Sequence, residues 1–450
     1  MPDPQHTGRL WSPDFPFKPA RAPVFYGWVM VVAGTIGMVF SIPGQTMGFS
    51  VFTDFLIADL RLSRDALSTA YCIGTVMSGL TLPMLGRAFD RLGARRMVVY
   101  SSVATGLILF YLAGSKVLLS SLSSALPMIS PTWLAFGIIT LGFYMIRASA
   151  QGVLTMTSRN AMGKWFDYHR GTALALSGVA VSFAFSAAPR LLDALVARHG
   201  AHGTWLLLGV LTCTLMAGLG WLLFRDNPEE CGLLMDGDSE GRKPRKAHAD
   251  SITHRDFTRA EALRTAPFWA FNLSFAFFSV FSTAFTFHIV SIGAEAGRGR
   301  SEVIALFLPM AAVSVCSNLF CGWASPKVRL KWLLVMMNLA ALTGVIGTLN
   351  LASEPGKLAF VIGNGVCGGC FAALTGIVWP RFFGRASLGA ISGVGMSSMV
   401  IASGIGPILF SLSLSHGGSY APALWASAAV PALLALFALR ADNPQRHHAP

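Results

Sequence analysis

Twelve apolar runs, each close to the roughly 20 residues needed to cross a hydrocarbon layer, leave this chain of 450 residues few options. They fall at about 27–50, 66–86, 97–115, 132–156, 171–192, 203–224, 266–290, 301–325, 332–352, 357–379, 386–412 and 419–440 on that ruler. Hydrocarbon offers no partner for a backbone N–H or C=O, so runs of this length fold as helices. With 53% hydrophobic and only 12% charged residues, and a mean hydropathy of +0.58, the chain is expected to be an all-α integral membrane protein. Residues 1–23 are polar and proline-rich, and the first apolar run is too long for a signal core, so the first helix is expected to stay in the protein.

Between the second and third runs lies Gly86-Arg87-Ala88-Phe89-Asp90-Arg91-Leu92-Gly93-Ala94-Arg95-Arg96. Four arginines and an aspartate in so short a stretch must stay at a membrane face. The whole chain carries a net charge of +13, and 25 of its 34 Lys and Arg residues fall in the tails and even-numbered loops against seven in the odd-numbered loops. That bias places both termini in the cytoplasm and explains the basic character without a nucleic-acid partner, and a bacterial inner membrane is the expected location. The exceptions are Arg147 and Arg190, which fall inside apolar runs.

The stretch 225–265, with Arg242-Lys243-Pro244-Arg245-Lys246, is the only long polar segment between runs. It reads as a flexible cytoplasmic linker whose basic run lies against anionic lipid, with a dedicated partner as the alternative. It separates a first bundle at 25–224 from a second at 266–440, with short tails at 1–24 and 441–450. Seven cysteines are present, six within runs. Cys367-Gly-Gly-Cys370 has a metal-like spacing, yet no second Cys or His pair accompanies it, so small-residue helix packing is expected and no metal or cofactor. No His-rich, paired-acid or nucleophile arrangement stands at the helix ends, which argues against an enzyme.

The spacing Gly-x-x-x-Asp-Arg-x-Gly-x-Arg-Arg at 86–96 resembles the loop between the second and third helices of major facilitator superfamily transporters. Gly322-Trp323-Ala324-Ser325-Pro326-Lys327-Val328-Arg329 sits at the equivalent place after the eighth run, with Pro326 where Asp90 would stand. The resemblance implies twelve helices in two six-helix bundles, with a substrate site near the midplane. A narrower resemblance, carried by Tyr26-Gly27-Trp28, Trp165-Phe166, His288 and Phe382-Phe383-Gly384-Arg385, is to the monocarboxylate porter and oxalate/formate antiporter branch. It implies small organic anions carried by proton symport or anion exchange. Members of that branch commonly hold the carboxylate with an arginine in the eighth helix, where this chain has Ser317-Asn318.

Arg147 is the residue that could replace that charge. It lies about fourteen residues, roughly 21 Å, into the fourth helix, and a guanidinium at that depth costs at least ~2.5 kcal/mol on insertion scales. No Asp or Glu falls in the core of any run. An anionic substrate, a carbonyl or a hydroxyl is therefore its expected partner, with structural bonding or snorkelling as the alternative. Gln151 shares its face. Gln45 lies in the interruption Pro43-Gly44-Gln45-Thr46 of the first helix, either a substrate-lining kink or a simple bend. Tyr71, Asn318, Asn364 and His288 complete the substrate-binding candidates, His288 being either a proton relay or a bonded helix-end histidine. Gly86, Asp90, Arg91, Gly93, Arg95 and Arg96 are the candidates for conformational gating, with Asp90 able to cap a helix and pair with an arginine. Arg190 and Asp193 are expected to pair near the outer interface. These features point to a secondary transporter of a small solute, most readily an organic anion such as a monocarboxylate, working by alternating access with a proton or counter-anion and requiring no oligomer. Efflux of a neutral or amphipathic compound and a transporter-like receptor without turnover remain the alternatives.

Overall fold

A computed structural model describes residues 9–237 and 253–448, and all its regular elements are helical. The basic run at 242–246 lies outside the described residues. Among the described residues nine helices are long and apolar enough to cross a membrane. Two of these, Arg64–Ala113 with 50 residues and Arg170–Leu223 with 54, are each long enough to cross twice. Each is turned back by one glycine in the left-handed region, Gly93 at φ 82° and Gly200 at φ 70°. With the shorter Tyr26–Phe40 the count is twelve.

The remaining spans are Pro131–Trp165, Ala266–Glu295, Arg300–Ala324, Leu330–Leu349, Glu354–Phe383, Leu388–Gly417 and Ala421–Ala438. The first span is the least regular. Its helix stops at Phe40, a 3₁₀ turn covers Ile42–Gly44, Gln45 is extended at ψ 152°, and short pieces carry the chain on to Leu60, beyond the end expected near 50. Pro43 lacks the N–H that would continue the ladder, so the interruption falls where the sequence placed it. The fourth span likewise runs past its expected end at 156 to Trp165, and Arg147–Leu154 within it is π-helical.

Two compact units are present, one of Met1–Asp167 with Ala180–Arg242 and the other of Tyr168–Val179 with Lys243–Pro450. In the first, the residues before the first span are packed onto the arginine-rich end. Arg95, only 3% exposed, donates to the carbonyls of Trp221, Ser12 and Phe15 at 2.7, 2.9 and 2.8 Å. Arg225 donates to Pro13 O at 2.6 Å and Phe15 O at 3.1 Å. Trp11 lies under both Arg95 and Arg96. In the second, Gly365 and Gly369 let the tenth span approach the eighth, where a Cβ on Gly369 would stand 2.3 Å from Ser314 O. Cys370 is buried in that contact with its Sγ 3.5 Å from Cys321 Sγ, and Cys367 is buried as well.

The ends of the stretch read as a linker are packed. Asp236 Oδ2 accepts from Asp167 N at 3.2 Å in the first unit, and Asp256 Oδ1 accepts from Arg385 N and Ala386 N at 2.6 and 3.0 Å in the second. Thr258 and Glu261 close a capping box on the short helix Arg259–Leu263. Cys231 is buried in the first of these ends, and burial pushes its thiol up to about 12. The thiolate is the reactive form, and three pH units from the ordinary value of 9.0 leave roughly a thousandth of it at a given pH. Cys231 in a variant lacking the other six cysteines should therefore label with maleimide at pH 8 at least about 100-fold more slowly in the folded protein than after unfolding. Equal rates would show this end to be open.

Candidate functional site

Two interruptions of regular helix meet in the first unit. The broken segment of the first span packs on the π-helical turn of the fourth, so closely that a Cβ on Gly44 would lie 2.7 Å from Ile146 O and 2.7 Å from Ala150 Cβ. A π-turn widens the helix by one residue and turns side chains that an α-helix would place elsewhere. Arg147 opens that turn and is 2% exposed.

Its guanidinium is held from the second span and from the broken first span. Nη1 donates to Tyr71 OH at 2.7 Å and to Thr46 Oγ1 at 3.3 Å, and the charge sits 5.0 Å from the Tyr71 ring centroid. Tyr71 OH and Thr46 Oγ1 are themselves 2.7 Å apart. Tyr71 is fixed by an edge contact with Phe143 at 5.1 Å. Among the described residues no carboxylate lies within ion-pair distance of Arg147, its Nε is buried without a hydrogen-bond partner, and so is Gln151 Oε1. A buried cation answered only by hydroxyls and a ring face is incompletely compensated.

Gln45 belongs to an adjoining hydroxyl chain. Its Nε2 donates to Ser41 Oγ at 3.1 Å and reaches Thr155 Oγ1 at 3.4 Å, while Thr155 Oγ1 donates to Ser41 Oγ at 3.0 Å. Arg147, Gln151, Gln45 and Tyr71 are thus gathered on the first, second and fourth spans. Thr46, Ser41 and Thr155 are the members that sequence reading did not single out. Thr155 stands four residues beyond Gln151 and Thr46 next to Gln45, so spacing carried a signal for both.

The other candidates are committed elsewhere. Asn318, 3% exposed, donates to Ala175 O at 3.0 Å, where the residues after Tyr168 pack on the eighth span of the second unit. Asn364 donates to Phe360 O of its own helix and packs against Gly344. His288 joins the seventh, eleventh and twelfth spans, with Nε2 3.1 Å from Pro407 O and Nδ1 3.1 Å from Tyr420 OH. This is the arrangement of a bonded helix-end histidine. Arg190 and Asp193 are both exposed and make no ion pair with each other, a correction to the expected outer pair. An exposed pair is worth at most about 1 kcal/mol, too little to order two solvated side chains.

At the arginine-rich end, Gly86 is buried in the second span, Arg91 is exposed, and the sharp break is at Gly93 alone. At the start of the third span Asp226 Oδ1 accepts from Arg95 N at 3.1 Å. Arg95 is occupied by the carbonyls of the preceding tail, as described above, and Arg96 stacks over Trp11 at 5.5 Å. Asp90 is half-buried.

A family model, the Major Facilitator Superfamily, matches residues 34–362. No curated protein sequence matches. Similar solved structures include the human organic anion transporter MFSD10 (TETRAN), covering 93% of this chain and 100% of that one at TM-score 0.61 and 13% identity. The proton:xylose symporter XylE covers 92% and 95% at TM-score 0.61 and 17% identity. A bacterial homologue of the iron transporter ferroportin in an outward-facing state covers 91% and 98% at TM-score 0.66 and 14% identity. At these identities what is shared is the fold. The family match spans more than half of the chain, and the twelve-span helical fold agrees with it: this integral, multi-pass membrane protein belongs to the major facilitator superfamily and is a transporter of small molecules, not an enzyme.

Proposed function

We propose that the chain carries a small organic anion, such as a monocarboxylate, across a bacterial inner membrane by alternating access, with Arg147 binding the anionic group. Two bundles at 25–224 and 266–440, joined by a cytoplasmic linker and with both termini cytoplasmic, are the frame of this reading. The observation that carries it is the guanidinium of Arg147, buried, without a carboxylate partner, and with Nε unused. Gln151, whose Oε1 is likewise unpartnered, and Gln45 flank it as polar groups that can orient the rest of the solute.

The same observation favours exchange over proton symport. Reorienting with no bound anion moves an uncompensated charge through an occluded state, and a buried ion left unpaired costs several kcal/mol. A bound anion removes that penalty in both directions. His288, already bonded to Pro407 O and Tyr420 OH, is poorly placed to shuttle protons. Proteoliposomes given radiolabelled monocarboxylates and dicarboxylates should show uptake that requires anion loaded inside and that ignores an inward proton gradient. Uptake driven by the gradient alone would replace exchange with symport, and no uptake of any anion by folded protein would remove the organic-anion reading.

Gating is assigned to the stretch from Gly86 to Arg96, with Asp90 as the group that changes partners between states. Asp90→Asn should reduce the initial uptake rate about tenfold, the effect of roughly 1.4 kcal/mol on the reorientation barrier, at unchanged surface expression. Equal rates would leave the cluster a topological signal only.

A further inference from the structure

Two threonines of the spans, Thr75 and Thr157, are fully buried with Oγ1 unpartnered, and of the two it is Thr75 that shares a helix face with Tyr71, the partner of Arg147. Thr35, Thr69, Thr140, Thr204, Thr212, Thr343 and Thr348 each donate to the carbonyl four residues back, the ordinary fate of a threonine inside a helix. Thr75 is fully buried, and its Oγ1 has no hydrogen-bond partner at all. It stands one turn beyond Tyr71 on the same face of the second span, and the neighbouring Gly74 touches the fourth span at Thr140, Phe143 and Tyr144. Side chains on a helix lean toward its N-terminus, so the Arg147 side chain leans back toward this level, where its Nη1 meets Tyr71. Two buried groups without partners, Thr75 Oγ1 and Arg147 Nε–H, thus belong to the two spans that the Arg147–Tyr71 bond joins, Thr75 one turn from that bond.

Buried polar groups are nearly always satisfied, and the chemistry of these two selects what satisfies them. The guanidinium N–H can only donate and the hydroxyl is able to donate as well, so a ligand that accepts satisfies both at once. A water molecule would serve the hydroxyl and leave the charge uncompensated. A dianion would replace one net charge by the opposite one. From this we infer that Arg147 and Thr75 bind a small inorganic monoanion of the chloride class, which neutralises the guanidinium in the substrate-free carrier and gives way to the anionic group of the substrate. The inference rests on the reading of Arg147 as the substrate-binding cation. It adds Thr75 as a ligand and a second, inorganic occupant in competition with the first.

The experiment uses purified full-length protein in detergent, in buffer with sulfate as the only anion, and titrates sodium chloride, bromide or nitrate while following the unfolding midpoint by tryptophan fluorescence. A saturable rise with each monoanion is expected, absent with added sulfate. The apparent dissociation constant should rise at least about tenfold in Thr75→Val, return toward wild type in Thr75→Ser, and become unmeasurable in Arg147→Gln, with tenfold corresponding to about 1.4 kcal/mol. The apparent dissociation constant for a transported monocarboxylate should rise in proportion to chloride. A chloride response of equal size in wild type, Thr75→Val and Arg147→Gln would be a general salt effect and would overturn the inference. Monocarboxylate binding that depends on Arg147 but is indifferent to chloride would also overturn it while leaving the organic-anion reading in place. Absence of both monocarboxylate and chloride binding would end both. If Arg147→Gln does not fold, Arg147→Lys with Thr75→Val carries the comparison.

Discussion

Replacing Arg147 by glutamine is expected to abolish organic-anion uptake while leaving the protein as stable as before or more so. The two effects have the same origin. A charged hydrogen bond to a buried partner is worth about 2–5 kcal/mol when one side is removed, so uptake should fall by at least about 30-fold at 1.4 kcal/mol per tenfold. In the absence of any bound anion, however, the guanidinium is 2% exposed and answered only by Tyr71 OH, Thr46 Oγ1 and a ring face. Glutamine retains an N–H to donate and removes the uncompensated charge, so its unfolding midpoint should be unchanged or raised. Uptake assays at matched surface density, with thermal unfolding of the same preparations, check both halves. Loss of uptake with a lowered midpoint would make Arg147 a structural residue. Uptake within threefold of wild type would show that the anion binds elsewhere. Arg147→Lys, which keeps the charge but lacks the planar fork, should recover only part of the rate.

The largest expected effect on stability is at Gly93. Its φ of 82° costs an ordinary L-residue about 1–2 kcal/mol and a β-branched one more. A Cβ there would also stand 2.3 Å from Asp226 Oδ2, displacing the carboxylate that accepts from Arg95 N. Losing that charged bond adds about 1.5–3 kcal/mol. Gly93→Val should therefore destabilise by about 3–5 kcal/mol, a large share of the 5–15 kcal/mol that a folded domain has. Gly200→Val is the control, because Gly200 has φ 70° and nothing within 4 Å of a Cβ, so only the backbone strain applies. Monodisperse yield and unfolding midpoint should rank wild type, then Gly200→Val, then Gly93→Val. Equal losses at the two glycines would mean that the Asp226 contact contributes nothing. Gly93→Val combined with Asp226→Ala should recover part of the difference, since the clash is then gone.

Much of this protein is determined by its sequence alone, because hydrocarbon enforces a simple rule. A run of some 20 apolar residues has one way to satisfy its backbone, so twelve runs mean twelve helices whatever their neighbours do. Pro43 interrupts the first helix by its own chemistry, and Arg147 can be recognised as exceptional from its depth in an apolar run. Gly93 could be marked as part of a turn by the arginines around it. What the sequence does not carry is which side chain answers which. Arg95 N at the start of the third span donates to Asp226, 131 residues away in the chain. Arg95 is taken up by carbonyls of the tail at Ser12 and Phe15, groups present at every residue and so invisible in a pattern. His288 and Asn318, which look like pore-lining groups by type, are bonded to Pro407 and Ala175. The π-turn at 147–154 has no sequence signature, yet it places Arg147 against Tyr71 and Thr46. Secondary structure in a membrane follows from local hydropathy, but the pairing of polar groups is settled by long-range packing, and for this chain the candidate site is made of such pairings.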